Sequence, residues 1–221
     1  MIEAFVFDLD GVLLDSEQVW DEAREQLANE RGGRWHPGAQ QDMMGMSSTE
    51  WSRYMHDVIG LPESPDEINR EVVERLVANY REHLPAIAGA REAVERLAAR
   101  WPLGVASSSN RELIELVLEL LGVANLFAAL VSSEEVGRGK PAPDVYLEAA
   151  RRLGVESTHA AAVEDSHNGI LAAKAAGMCV LAIPNVHFPP GPDTLDQADG
   201  VLGSLAELTP ETVEATCRPS G

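Results

Sequence analysis

The chain has 221 residues, of which 45% are hydrophobic, enough to fill one α/β domain and a smaller insertion. Its 17 basic and 36 acidic residues give a net charge of −19, which argues against nucleic acid or an anionic membrane as a partner. The spacing of its two cysteines, Cys179 and Cys217, indicates neither a disulfide nor a metal site, so we expect a cytoplasmic location.

Short apolar runs that end in polar residues predict buried strands. The three clearest runs span residues 2–7, 103–106 and 160–163, and further candidates span 130–132, 179–183 and 200–202. Helical periodicity lies between them, at residues 90–100, 112–121, 144–153 and 169–176. This alternation predicts an α/β fold with a Rossmann-like parallel sheet and helices on both faces.

Residues 16–84 break this alternation, because they have helical periodicity without a convincing strand. Two capping-box patterns, Ser47 to Glu50 and Ser64 to Glu67, mark helix starts there. We therefore predict an inserted all-helical cap at residues 16–84 and an α/β core at residues 1–15 and 85–221.

Polar residues follow the three clearest strands. They are Asp8 and Asp10, then Ser107, then Glu164 and Asp165. Because ligands bind beyond the carboxyl ends of parallel strands, these side chains should meet in one crevice suited to Mg²⁺. Asp8-Leu-Asp10-Gly alone could also be a turn. A calcium-binding loop is disfavoured, since Val12 and Leu13 stand where oxygen ligands are needed.

Four segments together carry a family resemblance. They are FDLDGVLLDS (7–16), ASSSN (106–110), GRGKPAPDVY (137–146) and VEDSHNGI (163–170). The chain resembles the haloacid-dehalogenase-type phosphatases, in the branch similar to β-phosphoglucomutase, and residues 16–84 fall where this branch carries its cap. The resemblance implies an Mg²⁺-dependent enzyme that works through a phosphorylated aspartate.

The resemblance also assigns catalytic roles. It makes Asp8 the nucleophile, Asp10 the general acid and base, and Lys140 the residue that holds the transferring phosphoryl group. A carboxylate can attack phosphorus when the charge of the substrate is neutralised, and this splits one difficult displacement into two. Lys140 could instead be a solvated surface residue, but it is one of only two lysines beside 15 arginines.

The phosphate is expected to contact a larger set of residues: Gly11, Ser107, Ser108, Asn110 and Lys140. Ser107 and Asn110 could instead cap the following helix. Ser47 and Ser48, in the loop that begins at Gly45, are candidates for substrate contact or an ordinary helix entry.

The resemblance also implies a metal shell. Asp8, the backbone carbonyl of Asp10 and Asp165 would bind Mg²⁺, and Glu164 would bind it directly or through water.

Departures from the family pattern narrow the reaction. The presence of Asp10 argues against dehalogenation, and the absence of lysine from the cap argues against a phosphonatase. Trp20, Ser48 and Leu76 stand where a mutase carries a histidine and basic residues, which favours a phosphatase over a mutase. The expected substrate is a small sugar or polyol phosphate and the expected assembly a monomer or weak homodimer, while a catalytically silent phosphate-binding module stays an alternative.

Overall fold

The residues that the structure describes form one parallel sheet of six strands. The computed structural model describes residues 1–43, 46–185 and 189–218. The strands are β1 (Ala4–Phe7), β2 (Leu103–Ser107), β3 (Phe127–Ser132), β4 (Ala160–Glu164), β5 (Cys179–Ala182) and β6 (Gly200–Val201). They lie in the order β3-β2-β1-β4-β5-β6.

This strand order places a crevice at the centre of the sheet. From β1 the chain moves outward through β2 and β3 on one side, then crosses to β4 and moves outward through β5 and β6 on the other. β1 is hydrogen-bonded to both β2 and β4, with Phe7 opposite Val105 and Val163. The direction of winding therefore changes between β1 and β4, and ligands bind beyond the carboxyl ends of the strands at such a point.

Helices cover both faces of the sheet. They are α5 (Ala90–Ala98), α6 (Arg111–Leu120), α7 (Asp144–Leu153), α8 (His167–Ala175), α9 (Pro192–Leu195) and α10 (Pro210–Thr216). Alternate residues of β1 face opposite sides, so Phe5 packs in one apolar cluster with Ile114, and Val6 packs in the other with Val145 and Ile170. The predicted α/β class is confirmed, and the six strands and four core helices predicted from periodicity lie where expected.

The insertion is helical, as predicted. Its helices are α1 (Glu17–Glu30), α2 (Ala39–Met43), α3 (Ser48–Tyr54), which continues into a π-helical turn at Met55–Ile59, and α4 (Pro65–Glu82). Capping boxes at Ser47 and Ser64 begin α3 and α4. The two connections to the core lie side by side, because Asp15 N donates to Pro85 O at 2.8 Å.

The expectation that the cysteines are unbridged is wrong. Cys179 begins β5 and Cys217 follows α10, and the two are joined by a disulfide with their Cα atoms 5.7 Å apart. They are 38 positions apart in the chain, and α10 brings them together by packing on β5. Sequence spacing could not reveal this, since the contact depends on where α10 docks. Within the described ranges, no helix is long and apolar enough to cross a membrane.

Candidate active site

Three carboxylates of the site lie close together because β1 and β4 are neighbouring strands. Asp8 follows β1, and its backbone N–H donates to Val163 O at 3.1 Å. Glu164 ends β4, and Asp165 comes next. Carboxylate oxygens of Asp8, Glu164 and Asp165 all lie within 4.8 Å of one another, and all three residues are buried. The predicted crevice therefore contains a compact acidic cluster.

Lys140 reaches this cluster from the loop before α7. Its Nζ donates to Asp8 Oδ1 at 2.7 Å and to Glu164 Oε1 at 2.5 Å, and its side chain is only 4% exposed. The ammonium also lies 5.0 Å from the ring centroid of Tyr146. The structure thus contradicts the alternative of a solvated surface lysine.

Both carboxylate oxygens of Glu164 accept hydrogen bonds from the protein. Its Oε1 accepts from Lys140 and from the hydroxyl of Tyr146, the latter at 2.6 Å. Its Oε2 accepts from the backbone N–H groups of Asp165 and Ser166 at 3.1 and 3.3 Å. A Cβ at Gly169 would lie 1.8 Å from Oε1, so only glycine leaves room for this carboxylate. In this arrangement Glu164 positions Lys140.

The buried charges perturb the pKa values of the cluster. Burial, together with the charge of Glu164, raises the pKa of Asp8 to about 8, and the same two causes raise the pKa of Asp165. Burial acts to lower the pKa of Lys140, but the charges of Asp8 and Glu164 outweigh it and raise that pKa. Lys140 is therefore protonated at neutral pH.

The donor set fits a divalent cation. A bound divalent ion would favour the ionised forms of these carboxyl groups, and three carboxylates with one ammonium would then sum to a charge of −2, which the ion would balance. The ligands are hard carboxylate oxygens, as Mg²⁺ prefers. Gly11 lies against this set with φ of +83°, and a Cβ there would be 1.8 Å from Asp165 Oδ2. Asn185 Nδ2 donates to the same oxygen at 3.3 Å.

Asp10 is held by donors from both sides of the crevice. Its Oδ1 accepts from Ser16 Oγ at 2.5 Å and from Trp20 Nε1 at 3.3 Å. Its Oδ2 accepts from Ser109 Oγ at 2.6 Å. The carboxylate thus joins the start of the insertion to the loop after β2.

The predicted phosphate-binding serines lie at the end of β2. Ser107 is fully buried, and its Oγ accepts from Ser109 N at 3.0 Å. Within the part of the chain that is described, this hydroxyl donates to no protein group, so its proton is available to an acceptor on a ligand. Ser108 is half-buried and lines the cavity that Asp10 also lines.

Asn110 and Ser48 lie at a different place, where the insertion touches the core. Asn110 Nδ2 donates to Glu134 Oε1 at 2.6 Å and to Asn69 Oδ1 at 3.2 Å. Ser48 Oγ donates to the same Glu134 oxygen at 3.0 Å. These groups connect α3 and α4 to the core, and a role for Asn110 or Ser48 in phosphate binding stays a prediction.

Ser47 is the other cap residue that we predicted to contact the substrate. Its backbone N–H donates to Glu50 Oε2 at 2.8 Å as part of a capping box. Gly45, where the predicted loop begins, lies outside the described residues.

Sequence reasoning missed several residues that organise the site. Tyr146 and Gly169 lie inside two of the quoted segments, yet nothing in their spacing shows that both serve Glu164. Ser109 was not predicted as a site residue, although it lies between Ser108 and Asn110 in the same motif and its hydroxyl is the one that reaches Asp10.

Known proteins resemble the whole chain. A model of the haloacid dehalogenase-like hydrolase family matches residues 2–177. Hexitol phosphatase B of Escherichia coli (strain K12) is 33% identical over 227 residues, covering 94% of this chain and 95% of that protein. The phosphorylated carbohydrates phosphatase of Thermotoga maritima is 32% identical over 179 residues, covering 80% of this chain and 82% of that protein.

A solved structure shares the fold. The crystal structure of β-phosphoglucomutase from Clostridium difficile superposes with a TM-score of 0.83 at 24% identity, covering 98% of this chain and 97% of that one. The matched family and the phosphatase relatives make the chain a phosphoric monoester hydrolase. With its Rossmann-like core, helical cap and acidic crevice, the chain belongs to the haloacid dehalogenase-like hydrolase family.

Proposed function

We propose that the protein is an Mg²⁺-dependent phosphatase that hydrolyses small sugar or polyol phosphates through an aspartyl phosphate on Asp8. The observation that carries the proposal is the contact of Asp8 with Lys140 inside a buried acidic cluster at the centre of the sheet. Lys140 binds Oδ1 of Asp8, and Oδ2 accepts no hydrogen bond from the described residues, so the carboxylate is oriented for attack through Oδ2.

Each residue of the site has a role in this reaction. Asp8 attacks phosphorus, and Lys140 and Ser107 bind the non-bridging oxygens of the transferring group. Asp10 gives a proton to the leaving oxygen and later accepts one from the water that cleaves the phosphorylated aspartate. Ser109 and Ser16 orient the Asp10 carboxylate through their hydroxyl groups.

The proposed metal ligands are Asp8, the backbone carbonyl of Asp10 and Asp165, with Glu164 acting through water. When bound, Mg²⁺ would supply positive charge that offsets the repulsion between the Asp8 carboxylate and the phosphate. The charge of −2 that the cluster carries when its three carboxyl groups are ionised supports this choice.

The substrate class is inferred from the cap and the relatives. Residues 17–82 contain seven arginines and 14 acidic residues, so a highly charged substrate is disfavoured. Hexitol phosphatase B and the phosphorylated carbohydrates phosphatase are named for small hydroxylated phosphate esters. A neutral, hydroxylated leaving group is consistent with both observations.

Three contacts support a phosphatase over a phosphosugar mutase. Trp20 donates to Asp10, Ser48 donates to Glu134, and Leu76 is fully buried among apolar side chains. None of these residues offers a cation to hold the distal phosphate of a bisphosphate intermediate. A distal phosphate would therefore find no cation at these three positions, where a mutase carries histidine and basic residues, and we expect water to cleave the phosphorylated aspartate.

We also infer the organisation and setting of the enzyme. The core comprises residues 1–15 and 85–221 and the cap residues 16–84, since the two connections pair beside Asp15 and Pro85. We propose a monomer or weak homodimer with a small phosphorylated metabolite as its partner, and neither nucleic acid nor membrane. The cytoplasm stays a proposal. The Cys179–Cys217 disulfide is typical of an oxidising compartment instead, so alkylation of both cysteines in intact cells tests the proposal: free thiols would support the cytoplasm, and a persistent disulfide would contradict it.

One set of assays tests the function. Wild type and Asp8→Asn are compared on sugar phosphates, polyol phosphates and phosphoglycolate, with Mg²⁺ and with a chelator, by release of inorganic phosphate. We expect turnover only in the wild type with Mg²⁺. Conversion of β-glucose 1-phosphate to glucose 6-phosphate faster than phosphate release would show a mutase, and activity retained by Asp8→Asn would exclude the aspartyl phosphate.

A further inference from the structure

A small cavity lies on the cap side of Asp10. Its volume is about 70 Å³, and it is lined by Asp10, Ser108 and Ser109 from the core and by residues of the insertion that include Glu17 and Arg24. Because Asp10 is the proposed proton donor to the leaving oxygen, this cavity is where the leaving group lies. It is far smaller than the roughly 300–1,000 Å³ of a pocket for a drug-sized ligand, so it suits a leaving group of a few carbon atoms.

Arg24, on α1, is a buried cation without an ion pair. The residue is 7% exposed, and its Nε has no hydrogen-bond partner among the described residues. Its guanidinium carbon lies 4.7 Å from the ring centroid of Trp20 and 4.8 Å from that of Trp51. These cation–π contacts offset part of the cost of burying the charge. They use no N–H group, so the donors of the guanidinium remain available.

Arg24 is the only arginine that is buried among the described residues, and the arginines of the insertion that do have acidic partners lie at its surface. On the surface of the same insertion, Arg31 pairs with Glu71 and Arg75 pairs with Glu30, at 2.9 and 2.6 Å. Burial lowers the pKa of Arg24 to about 10, so the guanidinium stays charged at neutral pH. A buried charged donor without an acceptor, next to the catalytic crevice, indicates that a ligand supplies the missing hydrogen-bond acceptor.

Glu17 provides an acceptor beside this donor. It is half-buried and lines the same cavity, and its carboxylate makes no hydrogen bond within the described part of the chain. The charged groups on the cavity wall, Asp10, Glu17 and Arg24, sum to −1. A second phosphate or a carboxylate on the substrate would therefore be repelled. A hydroxyl both donates and accepts hydrogen bonds and so matches an arginine and a glutamate together.

We propose that Arg24 and Glu17 are the specificity-determining pair of the enzyme and bind hydroxyl groups of a small polyol or sugar leaving group. Arg24 donates, Glu17 accepts, and Trp20 and Trp51 fix the guanidinium plane. The proposal rests on the proposed phosphatase function and names the residues that select its substrate.

The test compares substrate ratios, which a general loss of folding or catalysis would leave unchanged. Wild type, Arg24→Met, Arg24→Gln and Glu17→Gln are assayed on sorbitol 6-phosphate, glycerol 3-phosphate, fructose 1,6-bisphosphate and 4-nitrophenyl phosphate, whose leaving group has no second hydroxyl. Arg53→Met, at an exposed cap arginine, is the matched control. We expect the kcat/KM of the best hydroxylated monophosphate, divided by that of 4-nitrophenyl phosphate, to fall about 10- to 100-fold in Arg24→Met. The control should keep the wild-type ratio.

Each other outcome has a definite meaning. An unchanged ratio in Arg24→Met, or a wild type that prefers 4-nitrophenyl phosphate to every hydroxylated ester, would overturn the assignment while leaving the phosphatase in place. A loss confined to the bisphosphate would show an anion site and also overturn it. If Arg24→Met does not fold, the ratios of Arg24→Gln and Glu17→Gln decide. A wild type inactive on all four esters would refute the proposed function itself.

Discussion

Replacement of Lys140 by alanine tests the centre of the site. The change removes the only ammonium that contacts Asp8 and Glu164 in the described structure. It leaves three buried carboxylates whose oxygens lie within 4.8 Å of one another. Both the transferring phosphoryl group and the carboxylates lose a preorganised positive charge.

The magnitude follows from that geometry. Removing one preorganised charge stabiliser costs about 2–4 kcal/mol of transition-state stabilisation, which is about 30- to 900-fold in kcat/KM. The folded state is also destabilised, by about 3–5 kcal/mol where the carboxylates stay ionised, because a buried ion pair is broken from one side. Lys140→Met, which keeps the apolar stem, separates the loss of charge from the loss of packing.

The assay uses phosphate release under saturating Mg²⁺, with urea denaturation of the same samples. Lys174→Ala is the control, since Lys174 pairs with Asp199 at the surface and its side chain is 31% exposed. We expect Lys174→Ala to change kcat/KM less than twofold. Comparable kcat/KM values for the two alanine variants would refute the reasoning and show that residues 137–146 do not form the phosphate site.

Three further predictions concern stability and pH. Tyr146→Phe removes a buried donor to Glu164, so urea denaturation should show a loss of about 1–3 kcal/mol; an unchanged midpoint would mean that the 2.6 Å contact contributes nothing. Reduction of the Cys179–Cys217 disulfide should lower the free energy of unfolding by up to about 4 kcal/mol, the value that the chain-entropy model gives for a loop of 38 residues. The kcat should stay unchanged, and a loss of kcat would show that α10 supports the site. Folding raises the pKa of Asp8 from 3.8 to about 8, so the folded state binds more protons than the unfolded state between these two pH values. The metal-free wild type should therefore lose stability relative to Asp8→Asn, by up to about 1.4 kcal/mol per pH unit, as the pH rises toward 8. Parallel curves of stability against pH for the two proteins would contradict this.

The fold and the centre of the site could be predicted because their signals are local. Each strand is a short apolar run, and the residue that ends it must lie at one edge of a parallel sheet. Asp8, Ser107 and Asp165 could therefore be assigned to one crevice before any contact was known. The helical insertion was equally clear, since Ser47 and Ser64 begin capping boxes that are visible in four consecutive letters.

The residues that were missed depend on contacts between distant elements. Cys179 and Cys217 meet because α10 docks on β5, and no pattern in the 37 residues between them encodes that docking. Tyr146 reaches Glu164 because α7 packs on β1, the strand next to β4. Arg24 looks like any arginine on an amphipathic helix until two tryptophans are seen to enclose it.

The contacts of Asp10 and Glu134 together relate the position of the cap to the chemistry of the core. Asp10 accepts from Ser16 and Trp20 at the start of the insertion and from Ser109 in the core. Glu134 accepts from Ser48 in the insertion and from Asn110 in the core. A movement of the cap away from the core would break bonds at both carboxylates at once, and it would also open the cavity that Arg24 and Glu17 line. The orientation of the proposed acid and the shape of the proposed leaving-group cavity therefore depend on the same docking of the cap. In the proposed mechanism, the proton is then delivered only where the leaving group is enclosed.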